Sequence, residues 1–271
     1  MRLSIAFALT LTSIFAGTSS EPTQAQIDDI INKFAAKEAE FAKARSNYTY
    51  RQSAKLQELD ESGGPMGKWE MVSDIIFTPA GKRVEKVVYS PVQTLERLVL
   101  TPEDMQDLRD VQPFVLTTSE IPYYNIRYLG RQKLDEISCY SFAVKPKTME
   151  KGKRYFEGTV WVDDEDLQIV KSYGRGIGAL KKGSDNQFPK FETYREQIDG
   201  KYWFPTYTIA NDTLQFKDMS QRIRMSVKYE NYKMFKRESV IKYGDEVEQP
   251  KPPEAKPPEA KPPEVKPPKK P

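Results

Sequence analysis

Alternation with a period of two runs through most of this chain. Tyr48, Tyr50, Gln52, Ala54 and Leu56 alternate with Thr49, Arg51, Ser53 and Lys55. Trp69, Met71, Ser73, Ile75 and Phe77 alternate with Glu70, Val72, Asp74 and Ile76. Near the other end, Ile223, Met225, Val227 and Tyr229 alternate with Arg222, Arg224, Ser226, Lys228 and Glu230. A strand written this way has one apolar and one wet face, so the sheet it joins must cover a single side. Turn residues at Gly63-Gly64-Pro65, Pro79-Ala80-Gly81 and Ile198-Asp199-Gly200-Lys201 fold such strands into antiparallel hairpins. One strand follows the second turn, over Arg83 to Tyr89, and further strands are expected at 123–133, 137–145, 155–163, 167–173, 191–199, 202–209 and 214–232. About ten strands with one wet face curl around their apolar side.

One element in front has a different period. Ile27, Ile30, Ile31, Phe34, Ala35, Phe41 and Ala42 recur in steps of three and four, and only Glu38 interrupts the stripe. This is an amphipathic helix started by Pro22 and Thr23, and its greasy stripe must cover something. A second helix is expected over 101–110, with Thr101 as cap, Pro102 in the first turn, and Glu103 and Asp104 complementing the dipole. The expected fold is therefore α+β, mainly β: an antiparallel unclosed β-barrel, or half-barrel, covered by one or two helices.

The two ends read differently. Residues 1–20 have a short basic start, an apolar run and small residues, which is the pattern of a secretory signal peptide. No Cys stands near the cleavage zone, so the chain is not expected to be lipid-anchored. Residues 250–271 hold ten of the twenty prolines, in the five-residue repeats KPPEA, KPPEA, KPPEV and KPPKK. Such a segment favours polyproline II over a packed core and spans roughly 70 Å at about 3.1 Å per residue. It is expected to be a disordered, semi-rigid spacer. Residues 21–249 remain as one folded domain.

Charge and residue counts exclude several function classes. The chain carries 42 Lys plus Arg against 39 Asp plus Glu, a formal charge of +3. Six Lys against three Glu put +3 in the tail, and Arg2 adds +1, so residues 21–249 carry 3 − 3 − 1 = −1. No basic face for nucleic acid follows from that balance. There is no His, which rules out Ser-His-Asp and Cys-His catalysis and His-ligated metals. A single Cys rules out an internal disulfide. No cofactor is expected, and the chain does not read as an enzyme. A hydrolase using two carboxylates is the weak remainder, because no particular pair is singled out.

Several motif matches have plainer readings. Gly174-Arg-Gly-Ile-Gly-Ala179 fits G-x-G-x-x-A, but a loop with Lys181, Lys182 and Gly183 follows where a dinucleotide site needs a helix. Asp163-Asp164-Glu165-Asp166 lacks calcium-loop spacing and reads as a hairpin turn. Cys139 lies among Ile137, Tyr140 and Phe142 and reads as a buried, inert thiol. Ser239-Val-Ile-Lys242 and Ser184-Asp-Asn186 read as chance matches to penicillin-recognising motifs.

The stretch Glu157-Gly-Thr-Val-Trp-Val-Asp-Asp-Glu-Asp-Leu-Gln-Ile-Val-Lys171 is a G-x-V-W-V-D strand, an acidic turn and a returning strand. With the N-terminal helix, the serial strands and Tyr202-Trp-Phe-Pro-Thr-Tyr-Thr208, it resembles the LolA/LolB-like superfamily of periplasmic lipoprotein carriers, outer-membrane receptors and RseB-type sensors. That resemblance spans most of 24–235. It implies a half-barrel that holds acyl chains under a helical lid. The carriers' early Arg-Pro pair has no match in 69–89, and the receptor's lipid-bearing Cys is also missing. The expected function is an exported lipid- or lipoprotein-binding carrier or sensor, periplasmic or secreted, with acyl chains as its partners and residues 101–122 as lid. By strand parity the expected cavity wall is Phe77, Phe114, Phe142, Val160, Val162, Tyr207, Met225 and Val227. The alternative is an envelope scaffold that binds a protein partner and uses the proline tail as spacer.

Overall fold

The structure is a computed structural model that describes residues 21–78, 81–179 and 187–235. The signal segment, the 180–186 stretch and everything after Phe235, including the proline repeats, lie outside the described residues. Helix α1 spans Gln24–Arg45. The strands are β1 Tyr48–Leu59, β2 Pro65–Phe77, β3 Arg83–Tyr89, β4 Tyr124–Leu134, β5 Ile137–Pro146, β6 Arg154–Asp163, β7 Ile169–Gly178, β8 Phe191–Ile198, β9 Tyr202–Gln215 and β10 Ser220–Met234. All ten belong to one antiparallel sheet in the order β3-β2-β1-β10-β9-β8-β7-β6-β5-β4. Strands β3 and β4 are its two free edges, so the barrel is unclosed.

Helix α1 starts where the sequence predicts. The Thr23 side chain accepts from the Gln26 backbone while the Gln26 side chain accepts from Thr23 N–H, a reciprocal capping box. Lys43 and Arg45 complement the dipole at the other end. The apolar stripe buries Phe34 and Ala35 against Phe142, Val144, Val160, Val162 and Ile169 from β5 to β7. Farther along, Phe41 meets Tyr48 and Phe204.

The interruption of the stripe has a reason. Glu38 is fully buried, and its carboxylate accepts from the Arg195 guanidinium at 3.0 and 3.1 Å and from Ile169 N–H at 3.1 Å. Arg195 also donates to the Phe114 carbonyl. One ion pair thus ties α1 to β8, to β7 and to the segment that precedes β4. A buried charge is tolerated only with this kind of full pairing.

Three sequence expectations need correction. The second helix is short: α2 spans Pro102–Gln106, and a π-helical turn at Asp107–Val111 replaces its second half. Strand β7 runs on to Gly178, so the glycine motif lies within the sheet. There, a Cβ on Gly174 would fall 2.3 Å from the Glu157 carbonyl, and this crowding of two strands requires glycine. The strand expected over 214–232 is broken by the β9–β10 turn at Phe216–Met219, where Phe216 N–H donates to the Met219 carbonyl at 2.8 Å, so Leu214 and Gln215 end β9. Asn211 and Asp212 stay in the ladder opposite Arg224 and Ile223. Among the described residues no helix is long and apolar enough to cross a membrane.

Candidate ligand cavity

The concave side of the sheet is filled unevenly. Over β5 to β7 the side chains of α1 pack the space. Farther along β1, β2, β9 and β10, beyond the reach of Phe41, they do not, and a cavity of about 620 Å³ remains. Its floor is Ala54 and Leu56 of β1, Trp69 of β2, Leu214 of β9, and Ile223 and Met225 of β10. Its roof is the stretch 97–112, which presents Leu98, Leu100, Met105 and Leu108 downward. Phe188, Phe191 and Phe216 form a further wall. Polar groups are few: Arg97 and Asp218, then Thr101, Asp104, Asp107 and Gln112 on the roof, and Gln187.

The roof is held at both ends by charge. Glu58 of β1 is fully buried, and its carboxylate accepts from the backbone N–H groups of Glu96, Arg97 and Leu98 at 2.7, 2.8 and 2.6 Å. Thr94 bonds Lys68 by backbone and side chain, which lays this stretch against β2. The approach is so close that a Cβ on Gly67 would fall 2.2 Å from the Thr94 carbonyl. At the far end, Asp107 pairs with Arg154 at 2.7 and 2.6 Å. Gly176 makes room for that carboxylate, since a Cβ there would lie 1.9 Å from it. The Arg154 guanidinium also lies 3.7 Å from the centre of the Phe188 ring, which joins the roof anchor to the wall.

Between these anchors Thr101 caps α2 through a capping box with Asp104. Burial pushes the Asp104 carboxyl above its ordinary range, against the Thr101 hydrogen bonds that favour its charge. Burial does the same to Asp107, opposed by Arg154. On the wall side, Asp212 accepts from Lys190 N–H at 2.9 Å and steadies the stretch that carries Phe188. An arrangement that is apolar below, pinned above and sparsely polar can bury an apolar guest without orienting any reacting group.

Of the eight wall residues expected from parity, Met225 lines this cavity. Phe114, Phe142, Val160 and Val162 lie in the packed core beneath α1, and Phe114 stacks on Phe156 with ring centres 4.5 Å apart. Phe77 and Val227 belong to a neighbouring cluster with Tyr50, Met71, Ile75 and Leu108. Tyr207 is on the other face. It pairs with Lys228 and Tyr194, whereas the inward positions of β9 are Thr208 and Ala210. Aromatic character was a poor guide there, because Thr208 is buried through hydroxyl contacts with Thr193 at 2.8 Å and Tyr229 at 3.3 Å. The roof leucines and the Glu58 anchor were missed. Leu95, Leu98 and Leu100 carried an apolar signal, but nothing local marks Glu58 as buried.

Two motif readings agree with the geometry. Asp163 to Asp166 form a hairpin turn in which Asp163 accepts from Glu165 and Asp166 N–H, Asp164 pairs with Arg131, and Asp166 accepts from Gln197 and Trp203. Cys139 is buried, and burial pushes its thiol up to about 12.

No family model and no curated protein matches this chain. Among solved structures, a DUF1329 family protein from Desulfovibrio piger is 14% identical, with 79% of this chain and 94% of that one covered at a TM-score of 0.39. A LolA superfamily protein from Nitrosomonas europaea is 11% identical, with 77% and 93% covered at a TM-score of 0.36. MucB is 13% identical, with 77% and 94% covered at a TM-score of 0.27.

Proposed function

We propose that this chain is an exported lipid- or lipoprotein-binding carrier or sensor, and that the cavity under residues 97–112 receives an acyl chain. The observation that carries this reading is the cavity itself. Its volume of about 620 Å³ lies within the range of small-molecule sites, and leucine, isoleucine, methionine and aromatic side chains dominate its walls. Acyl chains need no directional partner, and each buried CH₂ contributes about 0.8 kcal/mol. A signal-like N-terminus puts such a protein in the periplasm or outside the cell. Native mass spectrometry of protein purified from its host tests the reading. A bound mass that organic solvent extracts as lipid is expected. An unliganded mass together with no uptake of a fluorescent fatty acid overturns it.

A scaffold role is the second reading, favoured by one specific observation. The edge strand β3 leaves Val84, Val87, Val88 and Tyr89 exposed, with one side of its backbone ladder unpaired among the described residues. Strand addition by a protein partner would cover it. Val87→Lys should then abolish partner capture while fatty acid uptake persists.

A further inference from the structure

The roof carries one polar atom that an unadorned hydrocarbon guest would leave stranded. Gln112 follows the π-helical turn and faces the cavity while being only 4% exposed. Its backbone is fixed from two sides: its N–H donates to the Asp107 carbonyl at 2.9 Å, and its carbonyl accepts from the Thr193 hydroxyl at 2.8 Å. Its side-chain Nε2 donates to the Met225 sulfur at 3.4 Å, across the cavity lining. Its Oε1 is buried and has no hydrogen-bond partner. The carboxyl groups of the roof that line the cavity are engaged, Asp104 with Thr101 and Asp107 with Arg154. Among the described residues that line the cavity, Gln112 Oε1 is therefore the buried side-chain acceptor left open. The turn that delivers it is also unusual. π-helical turns are rare and recur at functional sites, because the extra residue redirects the side chains that follow.

Resting on the reading of the cavity as a chain-binding site, we infer that its guest carries a hydrogen-bond donor, a hydroxyl or an amide N–H, that Gln112 Oε1 receives. Gln112 is then a specificity residue. A plain chain that fills the cavity leaves the buried Oε1 without a partner, and an unsatisfied buried acceptor is costly. A donor at the right place on the chain removes that penalty. The roof selects a hydroxylated or amide-bearing amphiphile over a simple hydrocarbon chain of equal length.

The test is competition for a fluorescent fatty acid bound to the full chain. The competitors are saturated fatty acids of one length, unsubstituted or with a single hydroxyl at a series of positions, and the matching primary amide. The best donor-bearing chain is expected to bind about tenfold more tightly than the unsubstituted one. Gln112→Met should erase that ratio. Equal affinities in the wild type, or a preference that survives in Gln112→Met, overturn the inference while leaving the cavity reading intact. Failure of every chain to bind removes both. Should the variant not fold, the wild type still decides the matter: the Gln112 side-chain amide resonance must shift with the donor-bearing chain and stay put with the plain one.

Discussion

The two halves of this sheet are built from similar strands, yet one is solid and the other hollow. Over β5 to β7 lies a 22-residue helix that inserts Phe34 and Ala35 among valines and phenylalanines and fixes its seat with Glu38 and Arg195. Over β1, β2, β9 and β10 lies a five-residue helix followed by a π-helical turn, pinned at Glu58 and Asp107 with a void between. A long regular helix presents a continuous stripe every turn and can fill a concave wall. A broken roof held by its ends cannot. The void therefore comes from the covering layer and not from the sheet, and mutations should separate the two halves.

The largest difference is expected at the buried charges of the solid half. Glu38→Ala strands the Arg195 guanidinium and should cost about 3–5 kcal/mol in chemical denaturation. Matched leucine truncations come next. Leu116 is fully buried in the packed core, and Leu116→Ala should cost about 3–4 kcal/mol because a new cavity opens. Leu214 already borders a void, so Leu214→Ala should cost only about 1–2 kcal/mol. Equal losses at both positions would break the comparison.

How much of this was legible in the sequence follows from where the signals are local. Thr23, Pro22 and the Ile27-to-Ala42 stripe announce α1, and the period-two runs announce the strands, because these features depend on near neighbours. The fold class and the single-sided sheet came from them alone. The cavity did not, for two reasons. Its roof depends on Glu58 meeting backbone N–H groups about 40 positions away, and on Asp107 meeting Arg154. Its emptiness depends on the π-helical turn, since a regular helix over 101–110 would have placed different side chains inward. Six of the eight residues chosen by strand parity lie on the apolar face of the sheet, whereas Phe114 is in the segment before β4 and Tyr207 is on the other face. Parity could not tell a filled stretch of that face from an empty one. Glu38 shows the same limit: its interruption of the stripe was visible, its partner Arg195 was not.

Smaller effects sharpen the contrast. Ala35 and Ala54 are both buried, the first under α1 and the second on the cavity floor. Ala35→Leu should overpack and cost about 1–3 kcal/mol. Ala54→Leu should change stability by less than about 1 kcal/mol while it shortens the longest fatty acid that fits. The least effect at neutral pH is expected at Cys139. Its thiol is raised to about 12 in the folded chain, against about 8.5 when unfolded. The folded state therefore holds its proton longer, and the stability it contributes is present below about pH 8.5 and lost as pH rises toward 12, by up to about 1.4 kcal/mol per unit. Cys139→Ala should remove that slope from the alkaline denaturation profile and leave binding unchanged.

The central claim is that the hollow half takes an apolar chain, and calorimetric titration with saturated fatty acids of increasing length tests it most directly. The account predicts that affinity rises by about tenfold for every two carbons, then levels once the cavity is full, and that Ala54→Leu moves the plateau to a shorter chain. Affinity that is independent of length, or a plateau that Ala54→Leu does not move, would contradict it.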